Sequence, residues 1–156
     1  MNFIRRTKLA GDLHTSPELL AELAKDRSPF VRIGVAGNPS TPPQVLIELG
    51  KDKNFWIRSH IAENPHTPPQ ILTELGNDKY EYIRSNVAKN PSTSAGILEK
   101  LAKDQKWIVR LYVAENQNTT AESLSVLLND ENRSVRQTAE YHLSCKQAEE
   151  SAEMSM

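Results

Sequence analysis

Few residues in this chain have types and spacings that could do covalent or metal chemistry. Its four histidines, His14, His60, His66 and His142, are scattered along the sequence. His14 and His66 hold the same turn position in units two stacking steps apart, too distant to share a metal ion. The single cysteine, Cys145, excludes an internal disulfide and any cysteine-only zinc or iron–sulfur site. It lies near one end with no evident histidine partner and reads as an incidental thiol. No H-E-x-x-H pair, glycine-rich phosphate loop or G-x-S-x-G elbow occurs. The expectation is no enzyme, no metal and no cofactor.

What remains is the chemistry of binding. Trp56, His60, Tyr82, Asn86, Tyr112 and Tyr141 mix aromatic and polar groups, the composition of a protein recognition surface. Packing between units would also account for Trp56 and Tyr82. Phe55 and Trp107, one position earlier, read as core. A second set is basic: Lys25, Arg27, Lys51, Lys53, Lys79, Lys103 and Lys106. Such a stripe could meet phosphates or an acidic protein, or simply keep a surface solvated.

A strict internal period positions both sets. Asn38-Pro39, Asn64-Pro65 and Asn90-Pro91 recur every 26 residues, Asn116 continues the series, and Asp12 occupies the matching place upstream. Five repeats of 26 residues cover 12–141. Three residues recur in all five: Thr15, Thr41, Thr67, Thr93 and Thr119; Asp26, Asp52, Asp78, Asp104 and Asp130; Arg32, Arg58, Arg84, Arg110 and Arg136.

Each repeat reads as two short helices. The first is expected to open at the threonine, as in Thr41-Pro42-Pro43-Gln44, with a capping hydroxyl, early proline and a capping-box Gln or Glu. Gly96 breaks that box after Thr93. Paired leucines such as Leu46 and Leu49 give an inward stripe, and Gly50 and Gly76 fall near the helix end. The second helix starts after the aspartate, whose charge suits a helix N-terminus. It carries apolar residues at i and i+4, as in Ile57 and Ile61, and ends at Asn-Pro. Helices this short are stable only when neighbouring units stack. The aspartate and arginine columns read as an ion-pair ladder that sets register. The asparagines read as turn chemistry.

The segment 1–11 matches the second helix imperfectly, with Arg5 at an apolar position, and reads as an N-terminal half-repeat cap. Residues 142–156 read as a C-terminal cap and polar tail. On the second helix, positions i, i+4 and i+7 vary freely. They hold the aromatic and polar set, which would line the concave side. The basic set falls beside the aspartates, along one edge.

The repeat resembles the leucine-rich repeat variant family, whose V-R-x-x-V-A-x-N-P-x-T-P…L-x-x-L-A-x-D signature is carried by Ile83-Arg84-Ser85-Asn86-Val87-Ala88-Lys89-Asn90-Pro91-Ser92-Thr93 and Leu101-Ala102-Lys103-Asp104. The resemblance implies an all-α, right-handed solenoid of alternating α- and 3₁₀-type helices. It brings no catalytic residues. Some members carry a cysteine cluster for an iron–sulfur centre, which this sequence lacks. A looser likeness is to HEAT-type repeats. A HEAT-like repair enzyme would need an acid in an aromatic cleft, and only Glu63 near Trp56 offers one.

Composition agrees with a binding scaffold. The 156 residues carry 19 Lys plus Arg against 20 Asp plus Glu, a net charge of −1, which argues against a uniformly basic nucleic-acid binder. No apolar run approaches a membrane span, and Met1-Asn2-Phe3-Ile4-Arg5-Arg6 is no signal peptide, so a cytoplasmic location is expected. The expected function is a scaffold for protein–protein interaction through the aromatic face. The alternative is binding of a nucleic-acid backbone along the basic edge. Oligomeric state is left open.

Overall fold

A computed structural model describes residues 1–154. They form eleven α-helices and no strand: α1 (Phe3–Gly11), α2 (Pro17–Leu23), α3 (Pro29–Gly37), α4 (Pro43–Leu49), α5 (Phe55–Glu63), α6 (Pro69–Leu75), α7 (Glu81–Lys89), α8 (Ala95–Leu101), α9 (Trp107–Glu115), α10 (Ala121–Leu127) and α11 (Arg133–Glu153). Helices of seven and nine residues alternate until α11, which runs for 21. Both helices of each repeat are α-helical over their spans. Tight i→i−3 bonds are confined to turns and helix ends, as where the N–H groups of Lys51 and Asp52 donate to Glu48 and Leu49 beyond α4.

The long helices pack directly on one another along the stack, α1 on α3, α3 on α5 and so on to α11, while the short helices form a looser second layer. One continuous core fills the space between them. The short helices contribute residues such as Leu46, Leu49, Leu72 and Leu75, and the long ones Ile57, Ile61, Ile83 and Val87, all buried. These are the periodic apolar positions of the sequence, and their burial supplies the cohesion that isolated seven-residue helices lack.

The threonines act differently from the expectation. Thr41, Thr67, Thr93 and Thr119 are buried, and each hydroxyl donates to the carbonyl six residues earlier, at the C-terminal end of the preceding long helix (2.5–2.6 Å). The N-cap of the short helix falls one residue later, at Ser16, Pro42, Pro68, Ser94 and Thr120. The reason is burial. The threonine sits inside the stack against a helix-end carbonyl that already takes the N–H of the following asparagine, and its buried hydroxyl gives that carbonyl a second donor instead of capping a helix start that solvent can reach. Helix α8, despite Gly96, starts in the same register as the others.

Gly50 has an ordinary right-handed conformation, so no left-handed turn demands it. It is there for space: a Cβ at Gly50 would lie 2.5 Å from Ile71 Cγ2 of the next repeat.

Candidate interaction surface

Three columns of polar residues lock the repeats together. Each ladder arginine but Arg136, in the last repeat, reaches forward to the aspartate of the following repeat. Arg84 Nε donates to Asp104 Oδ2 at 2.6 Å and Nη2 to Oδ1 at 3.0 Å, while Nη1 donates to the carbonyl of Asp78 in its own repeat. The same pattern links Arg6 to Asp26, Arg32 to Asp52, Arg58 to Asp78 and Arg110 to Asp130. Each aspartate also accepts from the backbone N–H two residues on, as Asp52 Oδ1 does from Asn54, and so shapes the turn into the long helix.

These partners hold the carboxyls of Asp26, Asp52, Asp104 and Asp130 below the ordinary aspartate value. For Asp26 the Ser28 N–H is the main cause and Arg6 a lesser one. For Asp130 the Arg110 hydrogen bond leads. At Asp52 and Asp104 burial is the largest influence and pushes the other way. It is outweighed by the hydrogen bonds from Arg32 and Asn54 to Asp52, and from Arg84 and Lys106 to Asp104, with arginine charge adding to both.

The asparagines form a second ladder. Asn64 Nδ2 donates to the carbonyls of Ala36 and Asn38 in the preceding repeat, and Asn90 Nδ2 to those of Ala62 and Asn64. Their Oδ1 atoms accept from the N–H two residues on, which is the turn chemistry read from sequence. The cross-repeat half of the job left no local signal. Among the described residues no buried side-chain nitrogen or oxygen lacks a partner.

Against this fully committed scaffold stand the variable residues. Trp56, Tyr82 and Tyr141 are exposed, and His60 and Tyr112 are partly so. Asn86 departs from the expectation. It is 3% exposed, and its Nδ2 donates to Glu63 Oε1 at 2.8 Å and Ser59 Oγ at 3.1 Å in the preceding repeat. Its amide is therefore spent inside the stack. Glu63 serves Asn86 and lies 3.5 Å from His60 Nδ1, which gives it a structural role beside Trp56. Trp107, read as core, is 45% exposed, whereas Phe55 at the same position two repeats earlier packs edge-on against Tyr80.

The structure groups some of these residues and separates others. Tyr82, Tyr112 and Lys89 border a shallow groove of about 290 Å³ between α7 and α9, with Lys89 Nζ 3.8 Å from the Tyr112 ring centre. Trp56 belongs to an aromatic cluster centred on Phe55, whose ring centre lies 5.0 Å from Trp56, 4.8 Å from Tyr80 and 6.0 Å from Tyr82. Tyr141 stands apart on α11, against His142. The sequence reading passes over Tyr80 because it lies ahead of α7, where the repeat assigns no aromatic.

All seven residues of the basic set are exposed: Lys25, Arg27, Lys51, Lys53, Lys79, Lys103 and Lys106. Lys51 and Lys106 are engaged by Glu74 (3.6 Å) and Glu81 (3.2 Å). Lys79 and Lys103 border an open polar groove of about 430 Å³ with the paired Asp78, Arg84 and Asp104. Lys79 Nζ also lies 5.0 Å from the Tyr80 ring centre, so the basic edge meets the aromatic cluster. No group of three or more potential metal ligands occurs among the described residues. No described helix is long and apolar enough to cross a membrane.

No family model matches the chain, and no curated protein matches it. Solved structures do. An engineered protein aligns with 14% identity and a TM-score of 0.52, over 90% of this chain and 86% of that one. A designed armadillo repeat protein aligns with 14% identity and a TM-score of 0.51, over 90% of each chain. A leucine-rich repeat variant aligns with 22% identity and a TM-score of 0.45, over 91% of this chain and 66% of that one. What is shared at such identities is architecture, and the chain is a helical-repeat solenoid.

Proposed function

We propose that this solenoid is a non-catalytic scaffold that binds a protein partner through the face of its long helices, around Trp56, Tyr82 and Tyr112. The observation that carries the reading is the exposure of large aromatic side chains on a scaffold whose other recurring residues are committed to holding repeats together. Exposed aromatic anchors beside polar groups are the usual composition of interface hot spots. The closer packing of the long helices than of the short ones supports a concave placement of this face, since a two-layer stack bends toward its tighter layer.

The test is photo-crosslinking in host cells, with a photoreactive residue at Trp56 or Tyr82 and a control at Glu22 on the short-helix layer. A discrete protein adduct from the long-helix sites alone is the expected result. Adducts independent of site, or none, would overturn the reading. The second reading, a nucleic-acid backbone along the basic edge, draws on the exposure of all seven cations beside aspartates neutralised by arginine. It requires adducts that disappear on nuclease treatment and affinity that falls steeply with salt.

A further inference from the structure

Five of the apolar residues form a line that crosses the repeats. Ile4, Phe30, Trp56, Tyr82 and Ile108 follow one another at the 26-residue period, and each is the second residue of its long helix. The first four are 77%, 65%, 57% and 49% exposed, and Ile108 is partly so. A soluble surface seldom sets large apolar side chains in an unbroken row unless something covers them. Three residues ahead of Phe30, Trp56 and Tyr82 stand Arg27, Lys53 and Lys79, a parallel line of exposed cations at the same period. Asp26, Asp52 and Asp78, each next to one of these cations, are held by the ladder arginines, so they do not cancel that charge toward a ligand. The two surfaces that the sequence presents as alternatives are thus one surface, an apolar row with a basic flank.

We infer that this surface, on the interaction-scaffold reading above, takes an acidic peptide segment in extended conformation, with an apolar residue at every third position and carboxylates between. Charge selects the sign of the partner, since the flank offers cations to the ligand. The geometry selects the period. Packed helices lie about 8–10 Å apart, and a polyproline-II strand advances about 9 Å in three residues, returning side chains to the same face. Apolar side chains at i, i+3 and i+6 would meet the row at successive repeats, and the intervening carboxylates would reach Lys53 and Lys79. Nucleic acid fits less well. Ile4 and Ile108 offer no ring for base stacking, and Glu81 stands at the first position of α7, next to Tyr82.

The probe is a fluorescent peptide of five Leu-Pro-Glu triplets, compared by anisotropy with five Leu-Pro-Gln triplets, five Leu-Pro-Lys triplets and a thymidine 20-mer. The acidic peptide should bind about tenfold tighter than its glutamine counterpart, the sum of a few exposed charge pairs. The Lys53→Glu/Lys79→Glu variant should abolish that preference while leaving glutamine-peptide binding unchanged. Trp56→Ala/Tyr82→Ala should remove binding of both. Equal binding of the acidic and neutral peptides, preference for the basic peptide, or displacement of the acidic peptide by the oligonucleotide would overturn the inference. So would failure of every peptide to bind. In each case the crosslinking at Trp56 still decides independently whether the face meets a protein. Concentration-dependent self-association blocked by the same charge reversals would also overturn it, by making a second copy's acidic surface the occupant.

Discussion

Replacing Asn90 by aspartate should destabilise the protein more than replacing it by alanine. Asn90 is 2% exposed. Its Nδ2 donates to Ala62 O at 2.8 Å and Asn64 O at 2.9 Å, and its Oδ1 accepts from Ser92 N–H at 2.8 Å. Alanine removes three hydrogen bonds, two of them buried, a loss of about 3 kcal/mol at ~1 kcal/mol each, which at a typical urea slope of ~1–3 kcal/mol/M lowers the midpoint by about 1–3 M. Aspartate keeps the turn bond but turns an oxygen toward two carbonyl oxygens. As an uncompensated buried charge it should cost about 3–5 kcal/mol. Burial and the facing carbonyls would raise the folded pKa of the new carboxyl above its unfolded value. The protonated form is then the tolerated one, and the deficit relative to the native chain should grow as pH rises through that raised pKa and shrink on acidification. Urea unfolding followed by circular dichroism at 222 nm, at pH 7 and pH 5, reads both effects. A natural control stands at the first repeat. Asp12 makes the turn bond to His14 N–H (2.9 Å) and reaches back to no earlier repeat, so Asp12→Asn should be neutral within about 0.5 kcal/mol. If Asn90→Asp unfolds at the native urea concentration, the asparagine serves only its turn and the cross-repeat ladder carries no weight.

Gly50→Ala should destabilise by about 1–3 kcal/mol, because its Cβ would enter Ile71, while Gly96→Ala, with open space around it in α8, should stabilise by about 0.5–1 kcal/mol; thermal melts of the two variants check the contrast. Thr67→Val should cost about 1 kcal/mol by removing the shorter of the two hydrogen bonds to the Ile61 carbonyl, which keeps the Asn64 N–H, whereas Ser94→Ala, at an N-cap with no side-chain bond, should change the urea midpoint little. The lowered carboxyl pKa values of Asp26, Asp52, Asp104 and Asp130 set the sign of the acid response. Their contribution is complete above the ordinary aspartate value of about 4 and is lost as pH falls through the lower folded values, so melting temperatures should be flat from pH 7 to 5 and drop below about pH 4.

The fold was legible because period and burial coincide. The apolar positions that recur every 26 residues, such as Leu46 and Ile57, are the buried ones, and Asn-Pro marks the helix ends. The polar columns were legible as columns but not in their partners. Arg84 meets Asp104 rather than Asp78 because a guanidinium on one layer of the stack reaches the next turn in space, which residue spacing within a repeat does not encode. Thr67 looks like a cap by its neighbours Pro68 and Pro69, yet burial assigns its hydroxyl to the helix behind. The proposed binding face was legible only as variability. Asn86 shares that variability with Tyr82 but faces the preceding helix, and a one-dimensional pattern does not separate a residue turned to solvent from one turned to its neighbour.

The ends of the stack bear on how such a surface can work. Val31, Ile57, Ile83, Val109 and Val135 form a fully buried column, and its counterpart in α1 is the exposed Arg5. Ala10, Ala36, Ala62, Ala88 and Ala114 form another, and its counterpart in α11 is the exposed Glu140. A charged residue at a position that elsewhere is sealed by the next repeat would be stripped of water if another unit stacked there, at a cost of several kcal/mol. A unit stacked on either end face would have to bury Arg5 or Glu140, which disfavours that association. On the proposed reading, binding energy then comes from the side of the stack that carries the exposed row from Ile4 to Tyr82 along the first turns of the long helices.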